Sequence, residues 1–398
     1  MRYDALVVGA GPAGLIASEE LAQRGFRVAV LEKDQIPGKH KSCGGFLTIR
    51  GMRDGNIPQS IAERTTSGVT LHMPGQPACS VDYPHPVGIQ VTREALGAFL
   101  CGRAGNAGAD IYLAHRVIAC TRSSGGWHVE AKGRCHSFDG SLLIGADGVT
   151  STVARSAGVR RRFAPDQLGV TAQVQLAMPS ATIERRFGER MELYYGRDVV
   201  PYGYAWIFPK RNSVYVGLGS LLSAVSVGGL ESHMRAFIHR HRAARSKLAG
   251  GRIRLVERAL VPLTYQLGSY GDGILLAGDA AGHCSAITGE GIHYALRAGR
   301  IAGHVGAKAL SQNDLTAHRL RSYEHEWRGQ FGGDLKWGLR LRKLFYSGIS
   351  AQSVSKGIAA DTRFLKLAAD LIVGLRPYRD TIIRALPFYL WRRVRRRA

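Results

Sequence analysis

Residues 3–8 form a mostly apolar run that ends at a glycine, and a second such run, residues 27–31, closes on Glu32. Runs this short, rich in Val, Leu and Ala and bounded by turn residues, predict buried strands. The stretch between them, residues 12–24, has the length and composition of a helix. The same strand-then-glycine pattern returns at Leu142-Leu143-Ile144-Gly145-Ala146-Asp147-Gly148 and at Gly273-Ile274-Leu275-Leu276-Ala277-Gly278-Asp279. After the latter, Thr288-Gly289-Glu290-Gly291-Ile292 opens a helical stretch reaching about residue 310, and Thr92 caps another that starts at Arg93. From 161 to 264 the period changes. Strands are expected at 169–177, 182–195, 204–209, 214–219 and 252–261, with a hairpin turn at 210–213 and a basic helix at 229–248. The chain thus predicts an α/β nucleotide-binding unit built from 1–70, 88–160 and 265–330. An antiparallel-sheet domain takes 71–87 and 161–264, and a basic helical region takes 331–398.

The first turn, Gly9-Ala10-Gly11-Pro12-Ala13-Gly14, carries the most specific chemistry. Gly9 allows the tight turn, Gly11 admits a pyrophosphate to the backbone, and Gly14 lets the helix lie close to the strand. Phosphates would then sit at the positive end of the helix that begins at Pro12, and Glu32 would accept from a ribose hydroxyl. Late in the chain, Gly278-Asp279 suits a carboxylate on a ribityl hydroxyl. The helix opening at Gly289 to Gly291 would aim its dipole at a flavin pyrimidine.

Two further segments are Lys41-Ser42-Cys43-Gly44-Gly45-Phe46-Leu47 and Pro201-Tyr202-Gly203-Tyr204-Ala205-Trp206-Ile207-Phe208-Pro209, the latter followed by Gly217-Leu218-Gly219. With the Gly-Asp and Thr-Gly-Glu-Gly elements, they resemble the geranylgeranyl reductase family over residues 1 to about 310. That resemblance implies a Rossmann-type, p-hydroxybenzoate-hydroxylase-like fold, bound FAD, and NAD(P)H or ferredoxin as external reductant. The implied reaction is saturation of polyprenyl carbon–carbon double bonds by hydride from flavin N5 plus a proton. Carried over position by position, the flavin contacts are Ala13, Glu32, Cys43, Gly44, Arg93, Val117, Asp279, Gly291 and Ile292. Side chains alternate along a strand, so Tyr204, Trp206 and Phe208 share one face and form an apolar wall for isoprene units. Cys43, Tyr204 and His283 are the candidate proton donors. The segment after Asp279 departs from the family's common Asn-Pro-like turn, and Cys43-Gly44-Gly45-Phe46 differs from its three-glycine form. Two other chemistries share such motifs. A flavin monooxygenase or halogenase acting on a small aromatic has a similar Trp strand. An electron-transfer flavoprotein:quinone-type dehydrogenase would need cysteines near the C-terminus, and none follows Cys284.

Charge adds a second theme. The net charge is +24, and residues 339–398 hold fourteen Lys and Arg against Asp361, Asp370 and Asp380. At the end, Arg392, Arg393, Arg395, Arg396 and Arg397 follow Ile382, Ile383, Leu386, Phe388, Tyr389, Leu390 and Trp391. That mixture fits a helix lying on an anionic leaflet, whereas no nucleic-acid-binding module surrounds it. The six cysteines show neither CxxC pairing nor metal-ligand spacing, so reduced thiols and no metal are expected. No leader pattern precedes the first strand, and the best apolar stretch, 213–230, is broken by Gly and Ser. The expectation is a cytoplasmic protein, peripheral at the inner face of the membrane, with an isoprenoid substrate.

Overall fold

The computed structural model describes residues 1–39, 41–346, 356, 357 and 359–384. Ile274–Leu276, Ser137–Gly145, Arg2–Val8, Val28–Leu31 and Asp110–Tyr112 lie in that order as the parallel centre of an eight-stranded sheet. These strands read as apolar on both sides because both faces are covered. Ala5, Val7, Val28, Val30, Leu142 and Ile144 pack against the helices Pro12–Ala22, Arg93–Asn106 and Ile292–Ser311. Leu6, Val8, Ala29, Leu31 and Leu143 pack against the hairpin Arg116–Ser123 and Gly126–Lys132.

The second sheet has seven strands in the order Arg252–Pro262, Leu168–Ala177, Ser213–Leu221, Tyr204–Pro209, Arg190–Tyr195, Gly68–His72 and Cys79–Asp82. It therefore begins at Gly68, a few residues ahead of the boundary expected at 71. Ala205 and Ile207 face a core shared with helices, whereas Trp206 joins Leu193, Val69 and Leu71 on the opposite face. Period-two alternation thus turns the aromatic strand toward the nucleotide-binding domain.

Two expectations are corrected. The segment 182–195 is not one strand: Ser180–Phe187 is a helix and only Arg190–Tyr195 is strand. Ile183 and Phe187, four apart, bury one helical face, and Gly188 at φ +54° stops the helix. The basic helix at 229–248 is two, Val227–Arg240 and Arg242–Leu248, because His241 leaves the helical conformation. Its Nδ1 accepts from the Ala244 amide and so caps the second helix. The apolar stretch 213–230 divides into the strand Ser213–Leu221 and the start of Val227–Arg240. Among the described residues no helix is long and apolar enough to cross a membrane.

The C-terminal region carries helices Gly333–Phe345 and Thr362–Ile372. The second lays Phe364, Leu365, Ala368, Ala369 and Ile372 on the aromatic face of the seven-stranded sheet. Asp370 anchors it, accepting from Tyr83 Oη at 3.0 Å and pairing with Arg376 and Lys366. Leu386, Phe388, Tyr389, Leu390, Trp391 and the arginines at 392, 393 and 395–397 lie outside the described residues.

Candidate active site

A cavity of about 430 Å³ runs from the first glycine turn, between the two sheets, to the aromatic strand. Its nucleotide end is built by local backbone geometry. Gly9 sits at φ +102°, and a Cβ there would collide with the Ala146 carbonyl. A Cβ on Gly11 would meet no protein atom within 4 Å, so this glycine faces open cavity. Pro12 lies in the first turn of the helix, leaving its amide ends directed at that space. Glu32 Oε2 accepts from the Ala10 amide at 2.7 Å and Oε1 from the Asp34 amide at 3.0 Å. This holds the carboxylate at the cavity edge with lone pairs to spare. Arg93 Nε and Ser42 Oγ are buried with no hydrogen-bond partner among the described residues, and both residues line the cavity. Such groups are costly unless a ligand satisfies them, and a dinucleotide supplies the acceptors. The donor set therefore fits FAD, and Arg116 and Val117 line the same cavity.

Gly278, Asp279, Gly289, Gly291 and Ile292 line the same cavity. Asp279 Oδ2 pairs with Lys41 Nζ at 3.0 Å, which joins the Gly-Asp turn to the Cys43 segment. The helix Ile292–Ser311 starts here with Gly291 as its N-cap, so its positive end points into the cavity.

The aromatic wall is as alternation predicts: Tyr204, Trp206 and Phe208 all line the cavity, with successive ring centroids 6.0 and 6.5 Å apart. Trp206 Nε1 donates to Gln173 Oε1 at 3.1 Å. The Tyr204 hydroxyl donates to the Thr288 carbonyl. Gly44 passes so close to Phe208 that a Cβ would enter its ring. Behind this contact Lys210 is fully buried and donates to Gly44 O at 2.6 Å and Gln90 Oε1 at 2.8 Å. Burial pushes its ammonium down to about 7, with Cys43 and Glu63 opposing. The unfolded chain, with an ordinary value of 10.5, therefore binds this proton more tightly than the folded one. The penalty is complete below about pH 7 and fades as pH rises toward the unfolded value. The native protein is expected to gain on the order of a few kcal/mol of unfolding free energy relative to Lys210→Met between neutral pH and pH ~10. Urea unfolding of both proteins across that range measures it, and parallel pH profiles would contradict it.

Of the candidate proton donors, Cys43 and Tyr204 border the cavity but His283 does not. His283 is buried against Trp327 and Phe331, at 4.8 and 5.3 Å, and burial drops its ring to about 3. It is a neutral packing group, which corrects the expectation that it serves as an acid. Burial drives the Tyr204 hydroxyl well above its ordinary value, and its hydrogen is engaged by Thr288. Sequence reasoning passed over Lys41 and Ser42, although both precede Cys43 in its segment, and Tyr195, paired directly with Tyr204 on the adjacent strand. It also passed over Ile372, whose helix roofs the apolar end. Tyr378 secures that roof, its hydroxyl bonded to Ser285 Oγ at 2.7 Å and Thr288 Oγ1 at 3.0 Å.

Comparison with known proteins agrees with this geometry. The family model described as an FAD binding domain matches residues 2–329. A digeranylgeranylglycerophospholipid reductase of Methanocaldococcus jannaschii is 30% identical over 392 residues, covering 94% of this chain and 96% of the relative. A chloroplastic geranylgeranyl diphosphate reductase of Oryza sativa subsp. japonica is 28% identical, covering 93% of this chain and 81% of the relative. Among solved structures, a geranylgeranyl bacteriochlorophyll reductase-like protein from Thermoplasma acidophilum superposes with TM-score 0.83 at 21% identity, over 97% of this chain and 99% of that one. A flavin-dependent brominase superposes with TM-score 0.75 at 16% identity, over 98% of this chain and 100% of that one. At these identities the structural likenesses bear on the fold.

Proposed function

Because the chain belongs to the geranylgeranyl reductase family of FAD-binding proteins, we propose that it saturates carbon–carbon double bonds of a polyprenyl chain held against Tyr204, Trp206 and Phe208. The observation that carries this reading is the continuity of one cavity from the Gly9–Gly14 turn to those three rings. FAD, bound and reduced, supplies the hydride. The chain's own residues do the rest. Gly9, Gly11, Pro12, Ala13 and Gly14 receive the pyrophosphate, Glu32 the ribose, and Arg93 and Val117 flank the nucleotide. Cys43, Gly44, Gly278, Asp279, Gly289, Gly291 and Ile292 surround the reactive end.

An isolated alkene offers no polar handle, so its recognition must come from shape and burial. Trp206 and Phe208 present that apolar surface, and Ile372 closes it from above. Tyr204 fixes Thr288, and with it the Gly289–Gly291 loop, to the sheet. Cys43 stands at the junction of flavin and substrate spaces, where a small apolar thiol excludes water. With reduced protein under anaerobic conditions, a geranylgeranyl lipid is expected to reoxidise the flavin while product mass rises by pairs of hydrogens. Fast reaction with oxygen and a hydroxylated or halogenated aromatic product would overturn the reading.

The substrate's source is the leaflet itself. Arg363, Arg379, Arg384, Leu375 and Ile383 are exposed on the roof region, Ile383 at 56%. They place basic and apolar groups together at the surface next to the apolar end of the cavity. Replacing Arg392, Arg393, Arg395, Arg396 and Arg397 by Gln is expected to weaken binding to anionic vesicles by at least about 100-fold at low salt, given ~1 kcal/mol per basic residue. Unchanged co-sedimentation would reject the membrane-surface role.

A further inference from the structure

Saturating an alkene takes a hydride and a proton, and among the carboxyls lining the cavity Glu290 has a buried histidine behind it. Glu290 lines the cavity in the loop that leads into the helix Ile292–Ser311. Its Oε1 lies 3.9 Å from His293 Nδ1, one side-chain adjustment beyond a hydrogen bond. His293, buried in the first turn of that helix, meets Asp54 Oδ2 through Nε2 at 2.6 Å. Asp54 belongs to the helix Ile49–Gly55, is 27% exposed, and also takes Arg297 Nε at 3.2 Å. Inner carboxyl, imidazole and outer carboxylate thus form a file from the cavity to solvent.

We propose that Glu290 is the acid that protonates the substrate, and that His293 and Asp54 return a proton to it from solvent. This rests on the prenyl-reductase reading of the cavity. In the step, hydride from reduced FAD forms one new C–H bond. The Glu290 O–H breaks and its proton forms the other as the double bond is lost. The resulting carboxylate takes the Nδ1 proton of His293, whose Nε2–H stays on the Asp54 carboxylate, and a proton from solvent then restores the ring. Per turnover, one hydride and one solvent proton reach the alkene.

The surroundings shift the two carboxyls in opposite directions. Burial pushes Glu290 up, aided by Asp334 and opposed by His293, Arg50 and a Thr48 hydrogen bond. Tyr294, Tyr378 and Cys284 are the other titratable groups facing it, and burial raises all three, so they stay neutral. At Asp54, burial raises the carboxyl, but His293, Arg297 and Arg50 outweigh it and hold the group below its ordinary value. An inner carboxyl shifted up beside an outer carboxyl shifted down suits proton delivery from the solvent side inward.

The test has two independent readouts. In the apo-protein at neutral pH, infrared spectroscopy is expected to show a carboxylic-acid C=O stretch that Glu290→Gln removes. In the anaerobically reduced holoenzyme, geranylgeranyl diphosphate is expected to reoxidise the flavin about 100-fold more slowly in Glu290→Gln than in the parent. Glu290→Asp, which keeps the acid should Gln not fold, is expected to fall between them. His293→Ala should slow the step and free imidazole should restore it. An unchanged rate in Glu290→Gln, or no band assignable to Glu290, overturns the proposal. If the band is present but the parent is not reoxidised by any prenyl substrate, the prenyl reading has failed and the protonated Glu290 stands.

Discussion

Gly11→Val is expected to leave the apo-protein as stable as its parent while lowering its affinity for FAD about 100-fold, the equivalent of the ~3 kcal/mol an overpacked contact costs. The asymmetry follows from position. Gly11 has φ −78° and ψ 174°, a backbone any residue adopts, and a Cβ there meets no protein atom within 4 Å. Only a ligand pressed against the turn would feel the side chain. Gly14→Val is the control, because its Cβ would strike the Gly9 carbonyl and push the helix off the strand. That variant should lose stability and flavin together. Thermal unfolding of the apo-proteins and flavin titration separate the two, and a Gly11→Val protein that binds FAD normally would remove the pyrophosphate from this turn.

Trp206→Ala is expected to have the second large effect, a loss of ~3–5 kcal/mol in unfolding free energy. The indole is buried, lies over Gly217 so closely that a Cβ there would enter its ring, and packs between Tyr204 and Phe208. Its removal also leaves Gln173 Oε1 without its donor. In catalysis the same change should raise KM for long prenyl chains far more than it lowers kcat, since the ring binds the chain in ground and transition states alike. Trp206→Phe keeps most of the apolar surface and loses the hydrogen bond, at ~1–3 kcal/mol. Denaturant unfolding and steady-state kinetics with substrates of different chain length check both parts. An equal loss of kcat with KM unchanged would place Trp206 away from the substrate.

The parts of this site that the sequence discloses are those set by local geometry. A strand, a turn and a helix N-terminus are contiguous, so Gly9, Gly11 and Glu32 could be placed from their spacing. Period two put Tyr204, Trp206 and Phe208 on one face without reference to any other segment. What stayed hidden depends on contacts between distant segments. Lys210 meets Gly44 across 166 residues, and His293 meets Asp54 across 239. Nothing in the runs around them announces a partner. The helix Ser180–Phe187 was misread because its apolar residues sit among strands and its two buried positions are too few to reveal a period. The C-terminal region reads as basic and helical, since Arg and Lys dominate its composition. Yet Thr362–Ile372 carries an apolar stripe that only the sheet beneath it explains. His283 shows the opposite error: a polar residue beside a cofactor motif looked chemical, and the fold buries it among aromatic rings.

The most direct test is a crystal structure of the anaerobic protein with FAD and a geranylgeranyl substrate bound. The isoalloxazine should lie between Gly44 and Gly291, with the prenyl chain on Trp206 and Phe208 beneath Ile372 and one double bond facing flavin N5. A chain bound elsewhere, or an aromatic wall covered by protein and closed to the flavin, would contradict the account.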